Sequence, residues 1–116
     1  MWEVNATEEY LTWFDSLSEE AKGAVYSRVL LLEQFGPQLK RPYADTLKGS
    51  SVKNLKELRN KTAKHVLRVA YYFDESRNAL LLIGGDKKGR NERRFYKDLI
   101  ADAEKLLQKY QIKRDT

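Results

Sequence analysis

The sequence predicts an α+β fold, in which an N-terminal helical hairpin and a C-terminal helix pack on a small, mostly antiparallel sheet. Two observations predict this class. Apolar residues recur at helical spacing near both ends of the chain, and they alternate at strand spacing between those ends. The predicted order of elements is therefore β-α-α-β-β-β-α. A chain of 116 residues has room for one domain, which we expect to span residues 1–116.

The first elements are a short strand and two helices. Trp2 and Val4 alternate with polar neighbours, which indicates a strand. Thr7 and Ser18 are N-cap residue types, and each precedes a stripe of apolar residues at helical spacing. A glycine and a proline at positions 36–37 predict the end of the second helix. The side chains expected to face inward are Tyr10, Trp13, Phe14 and Leu17, followed by Ala21, Ala24, Val25, Leu32 and Phe35.

The middle of the chain predicts the sheet. Residues 37–51 show no period and indicate a loop, and extended structure is expected to resume near residues 53–59. Alternation is clear over residues 66–74, and residues 79–83 are apolar on both faces, as in a central strand. Residues 84–90 predict a loop that leads to the last helix. The buried stripe of that helix is Phe95, Leu99, Ala103, Leu106 and Tyr110.

Composition excludes several classes of function. The chain has no cysteine and one histidine, His65, which removes disulfides, iron–sulfur clusters and the common zinc sites. Its carboxylates form no convincing site for a divalent ion, so we expect neither a metal nor another cofactor. No apolar run approaches the roughly 20 residues that cross a bilayer, and no signal peptide is evident. We expect a cytoplasmic protein that does not bind a membrane.

The charges are divided unevenly along the chain. Residues 1–36 carry a net charge of −5 and the remainder carries +10, which gives +5 for the whole. A basic region of this density attracts polyanions because binding releases their counterions. Nucleic acid is therefore the leading class of partner, although a basic surface also serves solubility alone.

Arg68 is unusual because it lies within the alternating apolar strand. A buried arginine is costly unless it is paired. Either a carboxylate such as that of Glu57 pairs with Arg68, or the strand presents this face to an open concave surface.

A cluster of cations precedes and enters the predicted last helix. Positive side chains at a helix N-terminus oppose the helix dipole, so stability alone does not favour them there. Together with nearby glycines and the helix N-terminus they indicate a phosphate-binding site. The cluster consists of Lys87, Lys88, Arg90, Arg93 and Arg94.

These residue types fit metal-free cleavage of RNA. In that reaction the ribose 2′-hydroxyl attacks the adjacent phosphate while cations stabilise the developing charge and a positioned group moves protons. Arg68, Lys88 and Tyr96 are suitable side chains. His65, Glu57 and Tyr96 are the candidates for the general base, and the sequence does not choose between them.

Four segments together resemble the HigB-like (phage Gp49-like) branch of the RelE/ParE toxin superfamily. They are LKELR at residues 55–59, LRVAYYF at 67–73, LLIGGDKKG at 81–89 and RFY at 94–96. The resemblance implies a RelE-like fold and a type II toxin neutralised by a HigA-like helix-turn-helix antitoxin. It also implies a metal-independent, ribosome-dependent mRNA endoribonuclease, an mRNA interferase that arrests growth.

The resemblance also implies roles for single residues. Arg68 matches the strand arginine that contacts the scissile phosphate, and Lys88, with Lys87 beside it, matches the basic residue that acts as acid or charge stabiliser. Tyr96 resembles the C-terminal tyrosine of the family, and Arg59 lies near its cationic strand position. Arg90, Arg93 and Arg94 are expected to hold phosphates. Two other functions remain open: a ParE-like poison of gyrase, and a nucleic-acid-binding module without catalysis.

Overall fold

The computed structural model describes residues 1–115, with side chains as far as Tyr110. In chain order the elements are β1 (Val4–Ala6), α1 (Glu8–Asp15), α2 (Glu19–Phe35), a 3₁₀ turn (Gly36–Gln38), β2 (Ala44–Thr46), β3 (Leu55–Lys61), β4 (Val66–Phe73), β5 (Ala79–Asp86) and α3 (Glu92–Asp115). The sheet has the strand order β1-β5-β4-β3-β2, in which β1 runs parallel to β5 and every other pair is antiparallel. The predicted α+β class and mostly antiparallel sheet are confirmed.

The sheet has a hydrophobic core on each face, because successive side chains of a strand point to opposite sides. On β4, Leu67, Val69 and Tyr71 pack against the helical hairpin, together with Val25 and Leu32 of α2. On the other face, α3 packs on the sheet; the buried residues there include Leu55, Ala70, Leu82, Phe95 and Leu99. The alternation predicted for β4 is therefore confirmed, and the site described below lies on the α3 face.

The predicted helix boundaries of the hairpin are confirmed. The Thr7 hydroxyl accepts a hydrogen bond from the backbone N–H of Tyr10, and that of Ser18 accepts one from Ala21. Gly36 ends α2 at a φ of +57°, a conformation that glycine adopts without strain. None of the helices in the described part of the chain combines the length and the apolar composition needed to cross a membrane.

The prediction that Phe35 faces inward is wrong. Its side chain is 44% exposed at the end of α2. The Trp2 ring covers Gly36 here so closely that a Cβ atom at this glycine would lie 2.4 Å from it. Trp2 therefore occupies the apolar space at this end of the hairpin, and Phe35 faces solvent.

The predicted loop over residues 37–51 contains a strand, β2. Its three residues, Ala44–Thr46, pair with Leu58, Glu57 and Lys56 of β3. Three residues are too few to show a period of two, which is why the pattern gave no signal. The observed order therefore has one strand more than the prediction, and this strand lies at the edge of the sheet.

The loop predicted from residue 84 begins later, because β5 continues to Asp86. Its two glycines are required by packing rather than by a turn. A Cβ atom at Gly84 would lie 2.3 Å from the Trp13 ring, and one at Gly85 would lie 2.9 Å from the Phe95 ring. Rings from both helical layers thus contact the strand backbone directly, and the extended strand carries Lys87 to the α3 face.

Thr7 connects the hairpin to the sheet. It is fully buried, and its hydroxyl donates to the Leu82 carbonyl at 2.7 Å while accepting from the Tyr10 N–H at 2.9 Å. We expect Thr7→Val to lower the free energy of unfolding by about 2 kcal/mol, because it removes a helix cap and leaves buried polar groups unpaired. Urea denaturation measures this. Thr7→Ser keeps the hydroxyl and is the control; a valine variant as stable as the wild type would contradict the role.

Candidate active site

The site begins with the register of β3 and β4. Arg59 lies directly opposite Arg68, and Glu57 lies opposite Ala70. Glu57 and Arg59 are two residues apart on β3, so they share a face of the sheet. Ala70 is small and buried under α3, which leaves space for larger side chains above it. The register thus brings one acidic and two basic side chains together beneath the first turns of α3.

Four side chains form a hydrogen-bonded group that we call the Glu57 cluster: Glu57, Arg59, Arg68 and Tyr96. Arg59 Nη1 donates to Glu57 Oε2 at 2.7 Å, and the Tyr96 hydroxyl donates to Glu57 Oε1 at 2.8 Å. Arg68 Nε lies 3.6 Å from the same Oε1 and donates to the Tyr96 hydroxyl at 3.0 Å. Both environments considered for Arg68 are present, since it pairs with Glu57 and also lines a surface groove that is described below.

The Glu57 cluster is buried at Glu57 and Arg68 and half-buried at Arg59 and Tyr96, and it carries more positive than negative charge. Glu57 is 3% exposed and Arg68 is 6% exposed. Burial lowers the pKa of Arg59, but the hydrogen bond and the negative charge of Glu57, together with Tyr96, outweigh burial, so the pKa of Arg59 is raised. Burial, together with the Glu57 carboxylate, raises the pKa of Tyr96 above its usual value, despite the opposing effect of Arg68. Two guanidinium groups thus share one carboxylate beside a protonated phenol, which leaves a net positive charge for an incoming anion.

A cleft of about 380 Å³ lies beside the Glu57 cluster. Glu57, Arg59 and Tyr96 line it, with Lys87 and Arg93 from the β5–α3 connection and the first turn of α3. The Lys87 ammonium pairs with Glu92 and lies 5.4 Å from the centre of the Tyr96 ring. The cleft can therefore admit a phosphate to a surface that carries arginine, lysine and tyrosine side chains.

The structure places His65 and Lys88 at a different point, near the turn between β3 and β4. His65 Nδ1 lies 2.6 Å from Asp86 Oδ2, and Lys88 Nζ donates to the Ala63 carbonyl at 2.6 Å. Burial would raise the pKa of Asp86, but hydrogen bonds from His65 and from the N–H groups of Val66 and Lys88 lower it below its usual value. Of the two neighbouring lysines, it is Lys87 that lines the cleft.

The five cations predicted to form one phosphate site are spread over the surface. Lys87 and Arg93 line the cleft, whereas Arg90 pairs with Asp98 at 3.4 Å and lies over the Phe95 ring. Arg94 is exposed in the first turn of α3, and its N–H donates to the Asn91 side chain. The sequence pattern predicts that a phosphate binds at the N-terminus of this helix. In the structure the Asn91 side chain accepts the hydrogen bond from one of the backbone N–H groups there, that of Arg94.

The sequence interpretation missed the contribution of the segment around β2. Arg41 and Lys48 also line the cleft, and Arg41 Nε donates to Asp45 Oδ2 at 2.7 Å. These residues lie in the segment interpreted as loop, so nothing placed them near β3. The alternation of Glu57, Arg59 and Lys61 on one face of β3 was the available signal for a charged surface at this edge.

A family model and two curated relatives match most of this chain. The model of the phage-derived Gp49-like protein family matches residues 12–108. Among curated proteins of Mycobacterium tuberculosis, "Putative toxin HigB3" is 41% identical over 92 residues, covering 79% of this chain and 78% of that protein. "Putative toxin HigB2" is 37% identical over 84 residues, covering 72% of this chain and 42% of that protein.

Solved structures give the fold. The isolated RelE toxin of Escherichia coli superimposes with a TM-score of 0.62 at 12% identity, covering 81% of this chain and 92% of that one. A RelE mutant in the free state also gives a TM-score of 0.62, at 10% identity, with 86% and 94% coverage. At such low sequence identity these comparisons show only that the fold is shared, and they confirm the RelE-like architecture expected from the sequence.

Glu57 balances two buried or half-buried arginines, so its charge is important for stability. We expect Glu57→Gln to lower the free energy of unfolding by about 3 kcal/mol, because Arg68 and Arg59 lose their shared counter-charge. Denaturation in urea at low and high salt measures this. Glu92→Gln removes an exposed partner of Lys87 and is the matched control, with little change expected. Equal stabilities of the two variants would contradict this account of the Glu57 cluster.

Proposed function

Because the chain belongs to the phage-derived Gp49-like family, we propose that it is the toxin of a type II toxin–antitoxin system. The mycobacterial relatives named as HigB toxins support this proposal, and so does the fold shared with RelE. Residues 1–116 form the toxin domain, and it acts in the cytoplasm. A HigA-like helix-turn-helix antitoxin neutralises it by covering either the basic cleft or the acidic helical hairpin.

The proposed activity is ribosome-dependent endonucleolytic cleavage of translated mRNA without a metal ion. The Glu57 cluster is the observation that carries this proposal. It joins a carboxylate, two guanidinium groups and a phenol by hydrogen bonds of 2.7 to 3.0 Å. Three of its members, Glu57, Arg59 and Tyr96, line the cleft, and Lys87 lines it as well. Mechanisms of RNA cleavage through the 2′-hydroxyl require a proton acceptor, a proton donor and fixed positive charge, and these residue types supply all three.

In the proposed reaction the 2′-oxygen bonds to phosphorus and the bond from phosphorus to the 5′-oxygen breaks. Glu57 is the candidate acceptor of the 2′ proton, and Lys87 is the candidate donor to the departing 5′-oxygen. Arg68 and Arg59 stabilise the charge that develops on the non-bridging oxygens. Tyr96 holds Arg68 in place and presents its ring to a base. The products are a 2′,3′-cyclic phosphate and a 5′-hydroxyl, and the proton that Lys87 gives up balances the one that Glu57 takes.

The remaining predicted residues have supporting roles in this proposal. Arg93 lines the cleft beside Lys87 and is placed to hold a flanking phosphate. Lys88, Arg90 and Arg94 are exposed near the end of β5 and the start of α3, and they extend the positive surface toward the ribosome. The pair of His65 with Asp86 fixes the turn on which Lys88 rests, so we assign it a positioning role.

Arg68 provides the most direct mutational test. We expect Arg68→Ala to lower the rate of cleavage by about 10²–10³, the usual effect of removing one well-placed charge stabiliser, and so to abolish growth arrest. Inducible expression with mapping of mRNA 5′ ends measures both. Lys53→Ala, at an exposed cation outside the cleft lining, should remain toxic.

A folded Arg68→Ala protein that still arrests growth and cuts mRNA would overturn the proposed role of the Glu57 cluster. Arrest by the wild type without mRNA cuts, accompanied by DNA breaks, would favour a gyrase poison instead. Absence of arrest from the wild-type protein would contradict the proposed toxin activity.

A further inference from the structure

A second groove, of about 510 Å³, opens at the free edge of β3. Most of the side chains that line it are positively charged, and within the described part of the chain none of its lining residues is a carboxylate. Pro42 is its one apolar lining residue among those described. The five cations are Arg28, Arg41, Arg59, Lys61 and Arg68.

The groove exists because β2 is shorter than β3. β2 pairs with Lys56, Glu57 and Leu58, and the Arg59 N–H donates to the Tyr43 carbonyl at 2.8 Å just before β2, so the edge of β3 has no strand beside it only beyond Arg59. Arg28 of α2 takes the place of that strand: its Nε donates to the Arg59 carbonyl at 2.8 Å. The edge of β3 at Arg59 is thus bound by the Tyr43 carbonyl and by the Arg28 guanidinium, and a positively charged concave surface opens beyond it.

Arg28 is held in a fixed orientation. Its Nη2 donates to Asn60 Oδ1 at 3.0 Å, and its guanidinium lies 4.9 Å from the centre of the Tyr43 ring. A guanidinium positioned in this way has already lost part of its conformational freedom, so less is lost when it binds a phosphate. Residues 1–36 contain only two cations, Lys22 and Arg28, and one of them lies in this groove.

The groove adjoins the cleft of the proposed active site, because Arg41 and Arg59 line both. Glu57 and Lys61 lie four residues apart on β3, which corresponds to about 13 Å at the rise of a strand. A polyanion leaving the cleft along β3 would therefore meet Arg59, Arg28 and Lys61 in turn.

We propose that this groove binds the phosphate backbone of single-stranded RNA next to the position of cleavage. The inference rests on the proposed function of the neighbouring cleft and extends it. Arginine forks suit phosphate oxygens, and exposed aromatic rings such as that of Tyr43 suit unpaired bases. An acidic protein segment fits less well, because protein interfaces rely on buried apolar anchors and the described lining offers only Pro42.

The test measures binding of a single-stranded 2′-O-methyl oligonucleotide, which cannot be cleaved through its 2′-hydroxyl. Lys61→Gln removes an exposed cation that lines the groove and not the cleft, and it leaves the Glu57 cluster intact. Fluorescence anisotropy over a range of salt concentrations gives the affinity and its salt dependence. We expect the slope of log K against log salt to shrink by about 0.7 for each cation removed, equivalent to roughly fivefold in affinity per cation at 0.1 M salt. Lys105→Gln on α3 is the matched control and should leave both unchanged.

Failure of this inference is distinguishable from failure of the proposed nuclease activity. Unchanged affinity and slope in the groove variant, or no binding by the wild type, would overturn the groove as an RNA site, even if the wild type cuts mRNA. Selective loss of binding to an acidic antitoxin, with RNA binding intact, would overturn it in favour of a protein partner. Groove-dependent RNA binding by a protein that cuts no mRNA would support the groove and overturn the nuclease proposal alone.

Discussion

The buried carboxylate of Glu57 is the interaction on which the rest of the site depends. It joins Arg59 of β3, Arg68 of β4 and Tyr96 of α3 through one hydrogen-bonded group. Charges withdrawn from water are tolerated only when each has a well-placed partner, so this group fixes the position of α3 on the sheet. The same arrangement holds the two arginines ready for an anion, because a phosphate oxygen can replace part of their interaction with Glu57.

The short edge strand β2 determines the shape of the surface beside the Glu57 cluster. β2 pairs only with residues 56–58, and the groove opens beyond the first residue of β2, while Arg59 and Arg41 line both the groove and the cleft. Most of the acidic charge of residues 1–36 belongs to the helical hairpin on the opposite face of the sheet. The protein is therefore polarised across its sheet, a distribution that orients it toward a polyanion before the two molecules touch.

The sequence predicted the fold well where long periodic patterns exist. The alternation from Val66 to Phe73 and the caps at Thr7 and Ser18 determine the strand, the helices and the two faces of the core, and the structure agrees. The missed features are short or ambiguous. β2 is too short to show a period, and glycine in a strand gives the same signal as glycine in a loop, as at Gly84.

The candidate site could be predicted only in part, because it depends on strand register and on the directions of single side chains. The sequence singled out Arg68 and named Glu57 as a possible partner, but the register that brings Arg59 opposite Arg68 is a property of the folded sheet. Lys87 and Lys88 are neighbours in sequence, yet one lines the cleft and the other contacts the carbonyl of Ala63. No spacing rule distinguishes them without the exact end of β5.

Replacement of one hydroxyl in the substrate tests the central claim most directly, namely that the cleft catalyses attack by a ribose 2′-oxygen. An mRNA with a single 2′-deoxynucleotide at a mapped cleavage position would be translated in extract with the protein present, alongside the unmodified mRNA. The account predicts cleavage of the unmodified mRNA to a 2′,3′-cyclic phosphate end and loss of that cut in the deoxy-substituted mRNA. An undiminished cut at the deoxynucleotide would contradict it, because no 2′-oxygen would be present to attack the phosphate.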